Sequence, residues 1–188
     1  MNLLGIGLQD AGQFEDALSV REAELSTMRR TGAPEESMLI VQGNLANSYA
    51  ALGRFEQSLN ITRDIYARSS ALHGKDNAYT LVTAGNLVAS LVDDLGQFDE
   101  ARAFLRDRIP EAVRALGKDH GTTLRLERMH AQCLYRNDGA SRDDITTAIA
   151  TLEDLDRRQT RTFGASHPQT CSTRCHLKRA LLALAEHK

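Results

Sequence analysis

Cys171 and Cys175 stand four residues apart with His167 a further turn upstream, so on a helix two sulfurs and an imidazole can share one face. Thiolate and imidazole donors of that kind bind zinc, which takes four ligands in a closed site. Here a fourth is not evident, although His176 adjoins Cys175. Cysteine also packs well as a small hydrophobe, and Cys133, Cys171 and Cys175 are expected to be free thiols without metal. His130 and Cys133 could serve as base and nucleophile, but nothing supplies an orienting third group or oxyanion donors. Gly5-Ile6-Gly7 has no strand before it and no phosphate loop after it. The residue types that carry catalysis are present without the constellations that perform it; neither enzyme nor cofactor is expected.

The elements that hold these residues announce themselves by repetition. GQFEDAL begins at Gly12, GRFEQSL at Gly53, GQFDEAR at Gly96 and the degenerate GASRDDI at Gly139, at intervals of 41, 43 and 43 residues. A second glycine series, Gly32, Gly74, Gly117 and Gly164, interleaves with the first, and twelve residues after each come Asn44, Asn86, Met129 and His176. Each period thus holds two segments, each closed by glycine. A fixed period of this size marks stacked supersecondary units, each of which buries its apolar face only against a neighbour.

Both segments read as helices. Leu81, Ala84, Val88, Leu91 and Leu95 step by three and four, as do Phe98, Ala101, Leu105, Ile109, Ala112 and Leu116. Gly53, Gly74, Gly96 and Gly117 supply the left-handed residue that ends a helix. Pro34 and Pro168 fall at helix starts, where a missing N–H costs nothing. The pattern predicts helices over 2–11, 13–31, 35–52, 54–72, 77–95, 97–116, 119–137, 141–163 and 167–186, with no strand. Pro110 predicts a kink or break near Ile109. The helix at 141–163 reads about one turn longer than its equivalents.

Asn44-Leu45-Ala46 with Tyr49, followed by Gly-x-Phe and a small residue, resembles a tetratricopeptide repeat. The period of about 42 residues, longer than the common 34, and the linker Leu116-Gly117-Lys118-Asp119-His120 are similar to the kinesin-light-chain class. Small residues where paired helices cross are Ala17, Ser58 and Ala101; Ser141 and Asp144 depart from the pattern in the last full repeat. His167 falls where that family commonly has a histidine beside proline. The resemblance implies an all-α, right-handed superhelical solenoid of antiparallel helix pairs spanning 1–188, with repeats at 34–75, 76–118 and 119–165 and partial ones at 1–33 and 166–188. Both ends look cut inside a repeat array, or else the first helix is short and the last caps the stack with Arg174, Lys178, Arg179 and Glu186 outward.

Composition agrees. The 188 residues are 41% hydrophobic, enough for an ample core, with 5% aromatic residues and no tryptophan. A net charge of −2 with both signs intermixed gives no footprint for nucleic acid. The apolar runs are too short for membrane insertion. Three cysteines fit a disulfide framework poorly and point to the cytoplasm or another reducing compartment; no secretory leader is visible.

In tetratricopeptide solenoids the first helix of each pair lines a concave groove. The resemblance therefore places Asn44, Asn47 and Ala50, then Asn86, Ala89 and Asp93, then Arg125, Arg128 and Gln132 along that surface. Asparagine pairs with the main chain of an extended peptide whatever its sequence, and arginine takes a carboxylate in bidentate fashion. The expected peptide-binding set is Asn44, Asn47, Asn86, Arg125, Arg128 and Gln132, facing one concave surface and taking a protein or peptide partner. Two other classes stand open: a structural scaffold or assembly subunit using outer faces and helix ends within a larger chain or multi-protein assembly, and the sensor arm of a signalling ATPase.

Overall fold

A computed structural model describes residues 2–187; the repeat limits expected at Met1 and Lys188 lie outside the described residues. All regular structure among the described residues is helical. The elements are α1 (Asn2–Asp10), α2 (Phe14–Thr31), α3 (Glu35–Ala51), α4 (Phe55–His73), α5 (Ala78–Ala89), α6 (Phe98–Leu116), α7 (Gly121–Tyr135), α8 (Arg142–Phe163) and α9 (Pro168–Glu186). At 22 residues α8 exceeds the 19 of α4 and α6, the extra turn that its longer period requires.

The chain divides after Gly74 into two compact units. In the first, α1 to α4 pack in sequence around Leu18, Leu25, Val41 and Leu45. Arg21 on α2 is buried and donates to Gln9 Oε1 on α1 at 2.8 Å and to Ser48 Oγ on α3, tying three helices together. Arg68 on α4 reaches back to α3, donating to Glu35 Oε1 at 2.6 Å and Gln42 Oε1 at 2.9 Å.

In the second unit α7 is central, touching α5, α6, α8 and α9. Its inner side feeds a core of Leu124, Leu134, Ile145, Leu152, Leu155 and Ala180. Leu124 and Leu152 are fully buried, and truncating either to alanine would cost about 2–5 kcal/mol through lost transfer energy and the cavity left behind. Arg158 on α8 repeats the clamp of the first unit: it donates to Asp119 Oδ1 at 3.0 Å and Glu127 Oε2 at 2.7 Å, with Glu127 in the register of Gln42.

Three local features depart from the sequence reading. First, α6 does not break at Pro110; it runs on to Leu116. Pro110 and Arg106 both face solvent, so the Arg106 carbonyl that loses its helical donor can be hydrated. Second, the helix expected at 77–95 is α-helical only to Ala89 and finishes in a π-turn at Ser90–Asp94. The chain from Asn86 to Gly96 is one residue longer than that from Asn44 to Gly53, and the wider turn absorbs the insertion while returning glycine to its cap. Third, the glycines that close helices do not share one conformation: Gly32 has φ 65° and ψ 36°, the ordinary left-handed region. Gly74, Gly117 and Gly164 have φ of 88–93° with ψ of 158–161°, a region essentially reserved for glycine.

The linkers after those three glycines end in capping side chains. Asn77 Oδ1, His120 Nδ1 and His167 Nδ1 accept from the backbone N–H two residues on, at 2.8, 3.2 and 3.2 Å. Ser141 and Asp144, the two departures from the repeat pattern, form a reciprocal capping box at the start of α8. Asp144 also meets Arg102 of α6 at 3.2 Å.

Candidate functional site

The cysteine and histidine groups do not assemble a reactive centre. His167 spends Nδ1 on the α9 cap and lies 4.8 Å from the Phe163 ring, ring centre to ring centre. Cys171 and Cys175 are exposed free thiols, and Cys133 is buried. Burial pushes the Cys133 thiol up to about 12, against the opposing charges of Arg136 and Arg102, so it stays protonated. His130 is held below its ordinary value by burial and by Arg102. Among the described residues no three or more His, Cys, Asp or Glu side chains are grouped to hold a metal ion.

The polar groups along one side of α7 are organised differently. Arg125, Arg128, Gln132 and Arg136 follow at helical spacing. Arg125 Nη1 donates to Asn86 Oδ1 on α5 at 3.1 Å, and Nη2 to the Gly85 carbonyl at 3.4 Å. A Cβ at position 85 would sit 3.4 Å from Arg125 Nη1, an ordinary contact distance, so the guanidinium packs directly over the Gly85 backbone. Arg128 Nη1 donates to Gln132 Oε1 at 3.4 Å. With its oxygen so engaged, Gln132 turns its Nε2 toward His176 on α9, 2.9 Å from Nε2. Tyr135 Oη lies 2.8 Å from His176 Nδ1.

Gln132 Nε2 lies 2.9 Å from Nε2 and 3.2 Å from Nδ1 of His176, and an amide nitrogen only donates, so a ring nitrogen without a proton accepts from it, while the Tyr135 hydroxyl, which both donates and accepts, meets Nδ1. Burial, then the charges of Arg128 and Arg179, depress His176 to about 4, which agrees with a neutral ring.

Both guanidinium groups are partly buried, and among the described residues neither Arg125 nor Arg128 contacts a carboxylate. Burial lowers both below the ordinary arginine value; at Arg128 the charge of Arg125 acts the same way, and Asp93 opposes at both. Arginine remains charged throughout, so the result is a pair of adjacent cations with neutral partners.

Of the six residues expected at a peptide site, Asn86, Arg125, Arg128 and Gln132 come together in the second unit. Gln132 is only 1% exposed and serves as a strut under Arg128 rather than as a contact surface. Asn44 and Asn47 share α3 of the first unit, Asn47 exposed and Asn44 partly so. Sequence reasoning missed His176 and Tyr135. The register already held the signal for His176, twelve residues after Gly164 and equivalent to Asn44 and Asn86.

Paired antiparallel helices repeating along the chain define an all-α repeat protein, and comparison with known proteins makes the class specific. Residues 37–110 match the tetratricopeptide repeat family. Over nearly its whole length the chain has the fold of kinesin light chain-like tetratricopeptide proteins. Two crystal structures of such a protein from Podosopora anserina, with nearly identical TPR-like repeats and one of them a single-substitution variant, superpose with TM-scores of 0.77 and 0.74 at 22% identity. Each covers 97% of this chain and 84% of the other. BtubC (BKLC) from P. vanneervenii gives a TM-score of 0.58 at 15% identity, over 100% of this chain and 80% of the other. No curated protein matches in sequence. Tetratricopeptide repeats generally mediate protein–protein interaction, and the fold is typically a non-catalytic module. No described helix is long and apolar enough to cross a membrane.

Proposed function

We propose that this chain is a non-catalytic interaction module whose second unit takes an extended partner segment along the face bearing Asn86, Arg125 and Arg128. Gln132 and His176 stiffen that face from below. The observation that carries this reading is the Arg125–Arg128 pair. A charge removed from water without a counter-ion is costly, and a partner carboxylate would supply two charge-assisted hydrogen bonds there. Asn44 and Asn47 offer the same kind of main-chain contact on the first unit. The three free thiols suit a reducing compartment such as the cytoplasm.

A scaffold role has its own support. Leu72 (51% exposed) on α4 and Val113 (37%) on α6 are apolar side chains open to solvent on second helices, the kind of surface that assembly subunits cover.

Selection from a random peptide display library separates the two. Acidic residues should be enriched with wild-type protein, and the enrichment should disappear with Arg125→Ala/Arg128→Ala at unchanged helicity. Selection of peptides without acidic residues, or with equal strength by both proteins, would refute the groove reading.

A further inference from the structure

The π-turn has a consequence for that face. Without the inserted residue, the end of α5 would follow the regular helical path of its counterpart α3, where Ala50 and Ala51 stand before Leu52 and Gly53. With it, the chain carries Asp93 and Asp94 before Leu95 and Gly96, and Asp93 Oδ1 lies 2.8 Å from Nη1 of Arg136 at the end of α7. The pair is not sequestered: the Asp93 side chain is 52% exposed and that of Arg136 30%. Arg136 is further held over the Phe98 ring, 5.3 Å from its centre. The same carboxylate acts electrostatically on Arg125, Arg128 and His176. The face is therefore graded along α7: cations with neutral partners at the Arg125–Arg128 end, and a cation already matched by an exposed carboxylate at the Arg136 end.

We infer that Asp93, set in place by the π-turn, is a specificity determinant of this face: it restricts binding to segments with an acidic group at Arg125–Arg128 and a neutral or basic residue at the π-turn. The inference rests on the groove reading. A continuous acidic run would bring like charge against Asp93, which costs binding energy, whereas a basic residue there meets an exposed carboxylate whose near side is already taken by Arg136.

The test uses the full chain and a labelled tetraglutamate peptide, followed by fluorescence anisotropy at low salt. Four proteins are compared: wild type, Asp93→Asn, Arg136→Gln and Arg125→Ala/Arg128→Ala, each checked for unchanged helicity. Asp93→Asn should bind the probe about three- to tenfold more tightly than wild type, with the gain shrinking as salt screens it. Arg136→Gln breaks the same ion pair but leaves Asp93 uncompensated, so it should bind more weakly than wild type. A merely structural clamp would move both variants the same way, and that result would overturn the inference. Equal binding by wild type and Asp93→Asn, with loss in the double arginine variant, would overturn it while leaving the groove reading standing. Binding that none of the substitutions changes, or no binding by wild type or Asp93→Asn, would overturn both.

Discussion

Gln132 on α7 and His176 on α9 meet at 2.9 Å, with Arg128 holding the other end of the glutamine amide. Because the amide donates from its nitrogen, this contact, as oriented by Arg128, joins two successive first helices through an unprotonated nitrogen of a neutral imidazole. It thereby links the charge state of a buried ring to the seating of Arg128.

The link has a pH signature. His176 in the folded chain is depressed to about 4, against an ordinary value of 6.5. Above pH 6.5 the ring is neutral folded or unfolded and contributes no pH dependence. Between 6.5 and 4 the unfolded chain takes up a proton that the folded chain refuses, so stability falls as pH falls, by about 3 kcal/mol in all. Urea titrations of wild type and His176→Gln across that window should diverge by this amount; parallel curves would show that the ring titrates freely.

Ser141 should stabilise the start of α8. Its hydroxyl accepts from the Asp144 backbone N–H at 3.1 Å, and the Asp144 carboxylate returns to the Ser141 N–H at 3.2 Å. Ser141→Ala should cost about 1 kcal/mol, read as a lower urea midpoint with unchanged slope. No change in midpoint would mean the box contributes nothing.

Gln159 is fully buried, and among the described residues neither amide atom has a partner. A buried unsatisfied polar group costs roughly 1–3 kcal/mol. Gln159→Met keeps the length of the side chain and removes both polar atoms, so it should raise the thermal midpoint. A lower midpoint would show that the amide is satisfied, for example by internal water.

How much of this was legible in the sequence follows from the range of the forces involved. The helices and their glycine ends were legible because apolar periodicity and backbone constraint act within a few residues. Ser141 and Asp144 looked like decay of the repeat because a side-chain pattern ranks packing first; their role is hydrogen bonding at a helix start. The π-turn was hidden in a one-residue difference between Asn44–Gly53 and Asn86–Gly96, visible only when two repeats are laid together. The Arg125–Asn86 contact spans 39 residues, and no local pattern reports which of several polar groups will meet at that distance. Gln132 read as a groove contact from its register, but its long side chain turns under the surface to His176.

The most direct measurement places a photo-crosslinking benzoylphenylalanine at Ala89, one turn beyond Asn86 on α5, and separately at Ala150 on the exposed side of α8. Both proteins are irradiated in the cells that make the chain, with and without Arg125→Ala/Arg128→Ala. The groove account predicts a partner adduct from position 89 that the arginine substitutions abolish. Adducts from position 150 alone, or from position 89 in equal yield without the arginines, would contradict it and assign the contact to the outer face.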